Sequence, residues 1–430
     1  MLIRFTVGNY RSFADPVTLD MTATRLKSPY PDLDAGAVHE LTPRLKLLKA
    51  AAVFGANASG KSNLVKAIGV LKSMVQKSAM EMPPGAVLPS EPFSLIEDAD
   101  RGPSQLEIEL YDDGVRYRYG FAFDRVRILR EWLYRTRARE AAMFRRDEMD
   151  FSVKDGFSEG RGLTERTRPE ALFLSVVAQF NGRIAQKVVG AVANLNIVSG
   201  LDDTPLFNRV VQTLEDHHLR RRAASFVAAF DTSVQNLRVE AMDVNKAFEG
   251  APDAIRSLVR ASGLQRAHSV RTQHALRDPA GTRVGEVEFD LTLQESAGTG
   301  RLVFLAPLVL DALEHGRTLV VDEFDARLHP RLTTQILRIF NSAETNPRGA
   351  QLIVATHGVH LLARDILRRD QVWFVEKDAM EQSRLYSLAE FRTRSEDVFD
   401  RQYLLGRYGA VPIVTGVGEA IRGHDATQSD

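Results

Sequence analysis

The sequence of 430 residues contains no cysteine. Disulfide bonds are therefore excluded, as are zinc and iron–sulfur sites that need cysteine ligands. Charge of one sign is not in excess either, because 56 lysine and arginine residues balance 56 aspartate and glutamate residues. A global basic field for nucleic acid or an anionic membrane is thus absent, although local patches of one sign are compatible with this balance.

Long apolar runs are also missing. No uninterrupted segment approaches the roughly 18 apolar residues of a membrane-spanning helix. The first residues, MLIRFTVGNYRSF, lack the apolar core and small-residue cleavage site of a secretion signal. We therefore expect a cytoplasmic protein without a membrane partner. With 44% hydrophobic and 26% charged residues, the composition is typical of a globular chain that can form a large core.

The spacing of apolar residues predicts both strands and helices. Alternation predicts a β-ribbon in residues 1–25, antiparallel strands in 105–133 and a hairpin in 266–293. Residues 82–104 predict a loop, and a helical pattern is found in Ser62–Val75 and across 136–262. Continuous apolar segments predict four buried strands, with a helix before each of the last three: Leu47–Phe54, Thr318–Asp322, Gln351–Thr356 and Val372–Val375. This alternation predicts an α/β fold with a largely parallel sheet that is covered on both faces.

Residues Gly55–Ser62 read GANASGKS and fit the pattern G-x-x-x-x-G-K-[ST]; we call them the phosphate loop. Glycines let the backbone curl so that its N–H groups point at phosphate oxygens, and the following helix adds its positive end. In this pattern Lys61 reaches the β and γ phosphates and Ser62 holds Mg²⁺. A glycine-rich turn that binds nothing is the alternative, but the segment lies between a predicted strand and a predicted helix, as the motif requires. The sequence therefore predicts ATP and Mg²⁺ as ligands, with these nucleotide contacts: Gly55, Ala56, Asn57, Ala58, Ser59, Gly60, Lys61, Ser62 and Asn63.

Two carboxylates follow the apolar segment TLVV at residues 318–321. Asp322 is predicted to hold Mg²⁺ together with Ser62, and Glu323 is predicted to polarise the attacking water as general base. A strand that simply runs into a solvated turn has the same pattern. The functional interpretation therefore depends on the phosphate loop upstream.

Two further motifs are weak when taken alone. Glu295–Thr299 reads ESAGT, which we call the signature turn, and small residues before a helix make an N-terminus that accepts anions. His357 follows the predicted strand Gln351–Thr356, where it can contact a γ-phosphate and sense its loss. A capped helix and a structural histidine are the respective alternatives. The order of all four motifs along the chain favours the functional interpretation.

That order resembles ABC-type ATPases of the RecF/SMC/OLD branch. More narrowly, three segments resemble the ABC-like "AAA family" ATPases of bacterial anti-phage defence loci: NYRSF at Asn9–Phe13, DEFDARLHP at Asp322–Pro330, and a tail that runs from FVEKD to YLLGRYGAVP. The resemblance spans residues 1–412 at its motifs and is loose in the middle third. The signature reads ESAGT rather than LSGGQ, and no Q-loop glutamine is identified.

The resemblance implies that two copies stack head to tail, as a dimer or within a higher oligomer, with ATP between the phosphate loop of one copy and the signature turn of the other. Ser296, Gly298 and Thr299 would then contact the nucleotide in trans. Arg11 would lie near the nucleotide and His329 near the dimer interface. ATP binding would close the dimer and hydrolysis would open it, with Lys61, Glu323 and His357 as the catalytic residues.

The fold class implied is an α/β head of the ABC ATPase type. It combines a mixed or parallel sheet that carries the phosphate loop, an antiparallel β subdomain and a helical insertion. The predicted domains are an N-terminal lobe over residues 1–135, a helical insertion over 136–265, a C-terminal lobe over 266–415 and a flexible tail over 416–430.

The biological role implied is that of a sensor or regulator ATPase in a defence system, which controls an effector protein encoded in trans. A TOPRIM-type nuclease is one such effector, and the 55 residues after Val375 are too few to contain it. The alternative is a DNA-repair or chromosome-associated ATPase that binds nucleic acid through arginines in residues 125–146 and at Arg220–Arg222. Interleaved acids make a salt-bridged surface an equally simple explanation of these clusters. A transporter subunit is disfavoured by the DEF after the strand, and a GTPase by the absence of an NKxD motif.

Overall fold

Apolar strands form four sheets in the computed structural model, which describes residues 1–95, 102–200, 204–244, 256–257, 266–393 and 398–412. The strands are β1 (Leu2–Gly8), β2 (Val17–Asp20), β3 (Val38–Thr42), β4 (Leu45–Leu48), β5 (Ala50–Phe54), β6 (Ser104–Asp112), β7 (Val115–Phe123), β8 (Ile128–Thr136), β9 (Glu140–Asp147), β10 (Asp150–Val153), β11 (Leu195–Val198), β12 (Asn236–Asp243), β13 (Arg266–Arg277), β14 (Arg283–Asp290), β15 (Thr318–Val321), β16 (Gln351–Ala355), β17 (Val372–Lys377) and β18 (Ser383–Ser387).

The helices pack on these sheets. They are α1 (Pro31–Gly36), α2 (Lys61–Lys77), α3 (Phe173–Gln179), α4 (Arg183–Ala193), α5 (Thr204–Glu215), α6 (His217–Phe230), α7 (Ala297–His315), α8 (Pro330–Phe340) and α9 (Phe399–Leu404). Among the described residues, none of the helices is both long enough and apolar enough to cross a membrane.

The central sheet has the strand order β11-β15-β16-β5-β17-β18. Its first five strands are parallel, and β18 pairs antiparallel with β17. An antiparallel sheet of order β10-β9-β8-β7-β6-β1-β2 lies beside it, while β12-β13-β14 and β3-β4 form two smaller antiparallel sheets. The mixed α/β fold with a mainly parallel sheet and an antiparallel β subdomain is therefore confirmed.

Successive residues of β5 face two different cores. Ala51 and Val53 join a core with α2 and the antiparallel sheet, whereas Ala52 and Phe54 join a core with α7 and α8. Side chains alternate across a strand, so a strand that is apolar at every position must be buried on both faces. This explains the unbroken run AAAVF in a strand that leads directly into the phosphate loop.

Two expectations about single elements are wrong. The predicted strand Leu47–Phe54 is divided between β4 and β5, because β4 pairs with β3 while β5 enters the central sheet. The predicted α-helix before β17 is replaced by two 3-10 turns, Val359–Leu362 and Arg369–Gln371. There the side chain of Asn341 donates to the carbonyl of Ile366 at 3.0 Å, which satisfies a backbone group without a helix.

The middle of the chain is less helical than its pattern predicts. Besides α3 to α6, residues 136–265 contain β9, β10, β11 and β12, and β11 forms the edge of the central sheet. A strand of four residues is too short to show in a sequence of helical spacing. The division of the chain into domains stays a prediction, and the predicted tail 416–430 lies outside the described residues, as does most of 245–265.

Candidate functional site

The phosphate loop connects the carboxyl end of β5 to the first turn of α2. Gly60 has a φ of 117°, a conformation that side-chain-bearing residues rarely adopt. A Cβ there would lie 2.8 Å from Ser12 Oγ and would also collide with Ser383 Oγ. A Cβ on Gly55 would lie 2.6 Å from Ser59 Oγ and would strike the carbonyl of Val375. The close packing of the loop therefore demands glycine at both motif positions.

A cleft of about 500 Å³ opens over this loop. Because β15, β16 and β5 are neighbours and parallel, their carboxyl ends meet at one edge of the sheet and bring together residues that are distant in sequence. The cleft is lined by Ser12, Asn57, Ala58, Ser59, Gly60, Lys61, Ser62, Asn63, Asp322, Glu323, Ala355, His357 and Lys377.

Lys61 is 7% exposed and its ammonium bonds to the loop itself. Nζ donates to the carbonyls of Gly55 at 2.9 Å and Ala56 at 3.0 Å. Burial lowers the pKa of Lys61 to about 8, against the opposing effect of Asp322, Asp325 and Glu323. The loop thus holds a partly desolvated ammonium group, and a polyanion bound nearby would stabilise its charge.

Asp322 and Glu323 lie in the cleft at the end of β15. Asp322 is 3% exposed, and its Oδ1 accepts the N–H of Glu323 at 3.1 Å. Glu323 has a φ of 50°, so its backbone turns sharply directly after the strand. A turn of this kind lets two consecutive carboxylates both line the cleft.

The residues present fit a Mg²⁺ ion that is shared with a phosphate ligand. Ser62 and Asp322 place two oxygen donors on the same cleft. The described ranges contain no group of three or more His, Asp or Glu side chains that could hold a metal on their own. Mg²⁺ in phosphate sites characteristically uses one or two protein oxygens and takes the rest from phosphate and water.

His357 follows β16 and also lines the cleft. Asp325 accepts the backbone N–H of His357 at 3.0 Å and the hydroxyl of Thr356 at 2.5 Å. Partial burial lowers the pKa of His357, and the charge of Lys61 lowers it further. Near neutral pH the imidazole is therefore mainly uncharged and can donate one N–H.

Residues 50–363 match the family described as "AAA domain, putative AbiEii toxin, Type IV TA system", which is more than half of the chain. The chain belongs to this AAA family. The matched range contains the phosphate loop, both cleft carboxylates, His357 and the signature turn.

Two solved structures are similar to this AAA protein. The SMC head domain from Thermotoga maritima is 14% identical, with 90% of this chain and 98% of that chain covered and a TM-score of 0.40. A structure of the recombination mediator protein RecF-ATPrS in the RecFOR pathway is 11% identical, with 83% and 92% covered and a TM-score of 0.30. No curated protein matches the sequence.

The signature turn of the AAA protein does not line the cleft of its own chain. Ser296 caps α7, and its hydroxyl accepts the N–H of Thr299 at 3.0 Å. Ser296 is exposed, whereas Thr299 is 8% exposed and donates to Asp231 at 3.0 Å. A Cβ on Gly298 would lie 2.8 Å from the carbonyl of Arg327, so this position also requires glycine. His329 is exposed and caps α8.

Arg11 does not line the cleft either. The guanidinium of Arg11 forms an ion pair with the carboxylate of Glu91 at 2.9 Å, and the backbone N–H of Arg11 donates to the carbonyl of Glu91 at 2.6 Å. The neighbouring Ser12 faces the cleft instead: Asn63 donates to its hydroxyl at 2.8 Å. Arg11 as a nucleotide contact stays a prediction that this placement does not support.

Gly55 and Ala56, two predicted nucleotide contacts, contribute their carbonyl oxygens to the phosphate loop, where both accept hydrogen bonds from Lys61.

Sequence reasoning missed Ser12, Asp325 and Lys377. Ser12 and Asp325 lie inside the quoted motifs NYRSF and DEFDARLHP, so a signal was present in both cases. Lys377 lies in the quoted FVEKD segment and ends β17, the strand beside β5, so that the sheet order brings it to the cleft. Its ammonium bonds the exposed carboxylate of Glu381 at 3.1 Å.

The predicted basic clusters are partly internal. The side chain of Arg146 is fully buried with Glu131, while Arg127 pairs with Glu148 and Arg222 pairs with Glu314. Within residues 125–146, five arginines are exposed and make no ion pair with the described residues: Arg125, Arg130, Arg137, Arg139 and Arg145. The clusters therefore contain both a structural ion pair and exposed arginines, which lie on the strands β8 and β9 and in the turns at the two ends of β8.

Proposed function

We propose that this protein binds ATP with Mg²⁺ in the cleft and hydrolyses it to ADP and phosphate. One observation carries the proposal: a phosphate loop, two consecutive carboxylates and a histidine from three neighbouring parallel strands share a single cleft of about 500 Å³. A loop that binds nothing would not need the companion groups that phosphoryl transfer requires.

Each residue has a role that its position allows. The loop N–H groups and the first turn of α2 receive the phosphates, and Lys61 exchanges its two carbonyl partners for phosphate oxygens. Ser62 and Asp322 would hold Mg²⁺, which would supply positive charge beside the transferred phosphoryl group. Glu323 accepts a proton from the attacking water, and His357 donates a hydrogen bond to the γ-phosphate.

We also propose that the hydrolytic site is completed by a second copy of the chain. Ser296 and Ala297 are exposed at the start of a 19-residue helix and lie off the cleft of their own chain. A head-to-tail dimer places this turn on the nucleotide of the partner, where the helix N-terminus stabilises negative charge. Nucleotide state then controls whether the two copies are joined or apart.

The experiment is a nucleotide trap. Glu323→Gln preserves the shape of the cleft but removes the base, so it should bind ATP, lose turnover and elute as a stable dimer in light-scattering chromatography with ATP and Mg²⁺. Lys61→Ala should lose both ATP binding and dimer formation. Glu344→Gln, an exposed site off the cleft, is the matched control and should behave as wild type. Normal turnover by Glu323→Gln overturns the base assignment, and a monomer under trapping conditions overturns the shared site.

The cellular role we propose is control of a separate effector protein in a defence system of the cytoplasm. The family description, with its putative toxin and its toxin–antitoxin system, supports such a role. The trapped Glu323→Gln form should retain the effector in a pull-down, and a TOPRIM-type nuclease is one candidate. If Lys61→Ala retains the same protein equally well, nucleotide state does not control the association.

Direct binding of DNA is the second candidate, and the five exposed arginines of the antiparallel sheet favour it. Phosphate contacts by several arginines make affinity fall steeply with salt. DNA binding that depends on salt and is lost when Arg137 and Arg139 become glutamine would support this function. Affinity unchanged by these substitutions would exclude this surface.

A further inference from the structure

Glu295, the first residue of the signature turn, has its carboxylate turned into the protein. Its side chain is 8% exposed, and Oε1 accepts a hydrogen bond from His274 Nε2 at 2.6 Å and another from the hydroxyl of Thr272. Thr272 is fully buried, and the His274 side chain is 13% exposed. Both partners belong to β13, so this strand holds the residue directly before Ser296.

The other end of the turn is held independently. Thr299 bonds the hydroxyl of Ser296 at 2.9 Å and the carboxylate of Asp231 at 3.0 Å, where Asp231 follows α6. Gly298 lies against the carbonyl of Arg327 on a third side. Ser296 and Ala297 are exposed, and the residues on either side of them are held by contacts with β13, with Asp231 after α6 and with the turn after β15.

We propose that Glu295, held by His274 and Thr272, is a positioning residue that sets the orientation of the signature turn for the nucleotide of a partner subunit. The inference rests on the proposed function, because the turn has no nucleotide of its own to contact. Glu295 itself faces away from the exposed side of the turn, so its effect passes through the backbone it anchors. Burying the carboxylate of Glu295 costs solvation free energy, and the hydrogen bonds from His274 and Thr272 offset that cost only in this geometry.

The test begins with two substitutions. Glu295→Ala should bind a fluorescent ATP analogue as the wild type does, since the phosphate loop acts within one chain. In the Glu323→Gln background it should dimerise at least about tenfold more weakly, since a loosened turn loses oriented hydrogen bonds to the nucleotide. Glu295→Gln keeps an acceptor for both β13 partners and should recover most of the activity. Glu286→Ala, on the exposed side of the same hairpin, is the control.

Mixing inactive variants separates a positioning role from a folding defect. In a dimer of Lys61→Ala with Glu295→Ala, one site carries both defects and the other has an intact phosphate loop and an intact signature turn. The mixture should therefore hydrolyse ATP faster than either protein does alone. Lys61→Ala with Ser296→Ala should be restored in the same way.

The outcomes distinguish the inference from the proposed function. If the Ser296→Ala mixture is restored and the Glu295→Ala mixture is not, the shared site stands and the positioning role of Glu295 is wrong. If neither mixture is restored, the shared site itself fails and the inference falls with it. Wild-type turnover by Glu295→Ala alone also overturns the inference.

Discussion

The carboxylate of Asp325 accepts the backbone N–H of His357 at 3.0 Å. The same oxygen accepts the hydroxyl of Thr356, which is fully buried, so the acidic turn after β15 is bonded to the histidine turn after β16. Glu323 and His357 both line the cleft, and Asp325, which does not line it, joins the turns that carry them. The proposed base and the proposed phosphate sensor belong to separate motifs in the sequence, but hydrogen bonds to Asp325 join their two turns in the fold.

Removing the hydrogen bonds of Asp325 should reduce the rate of ATP hydrolysis more than it reduces the affinity for ATP. Asp325→Ala leaves a buried hydroxyl and an N–H without their acceptor, so the position of His357 is no longer fixed. We expect turnover to fall about tenfold or more while ATP affinity changes little, because oriented groups act chiefly on the transition state. Steady-state hydrolysis and nucleotide titration measure the two effects. Asp365→Ala, at an exposed carboxylate paired with Arg338, is the control. Equal loss of affinity and turnover would contradict the prediction.

ATP binding should take up a proton at alkaline pH. The pKa of Lys61 is about 8 because the ammonium is buried, and a bound triphosphate raises the pKa by favouring the charged form. Below this pKa the free protein already carries the proton. Above it, binding must recruit one, so affinity should fall by up to about tenfold per pH unit as pH rises.

Calorimetry checks this linkage. Titrations at about pH 9 in two buffers with different heats of ionisation should show uptake of nearly one proton per ATP. At about pH 7 the proton uptake through Lys61 should be small. Lys66→Ala, an exposed lysine on the same helix, should leave the result unchanged. Identical uptake at both pH values would show that Lys61 keeps an ordinary pKa.

Two glycines of the same region should respond to alanine in opposite directions. Gly60→Ala strains a φ of 117° and drives a methyl group into Ser12 and Ser383, so ATP binding should be lost and stability should fall by about 2 kcal/mol or more. Gly69 lies inside α2 with open space around its Cβ position, so Gly69→Ala should add roughly 0.5–1 kcal/mol of stability. Urea unfolding and nucleotide titration test both variants. Intact ATP binding by Gly60→Ala would mean that the loop can rearrange.

The buried pair of Glu131 and Arg146 should be the most sensitive point of the antiparallel sheet. Both side chains are fully buried, and Glu131 also accepts the N–H groups of Phe173 at 2.7 Å and Leu174 at 3.0 Å, which ties α3 to β8. Glu131→Ala leaves a buried guanidinium without its counterion, which typically costs about 3–5 kcal/mol.

Denaturant unfolding measures that loss. Glu148→Ala removes an exposed partner of Arg127 in the same sheet and should change stability by less than about 1 kcal/mol. Comparable losses in the two variants would mean that burial does not govern the energetics of these pairs.

Much of the site was predictable because its motifs are local. The phosphate loop combines a buried strand, a tight glycine turn and a helix N-terminus within a few residues, and the carboxylates Asp322 and Glu323 directly follow an apolar strand. The position of Arg11 was not predictable from its motif. Arg11 lies in a motif beside the cleft, yet the backbone turns it toward Glu91 and points its neighbour Ser12 inward.

The sequence by itself determined the α/β alternation, the strands that are apolar at every position and the residues of each motif, because these depend on spacing along a few turns or one strand. Only the tertiary structure decided that β11 joins the central sheet, that Lys377 reaches the cleft, that Asp325 holds His357 and that Glu295 is anchored to β13. Such contacts join residues that are far apart in sequence or come from different elements, and sheet order and packing bring them together rather than any local preference of the chain.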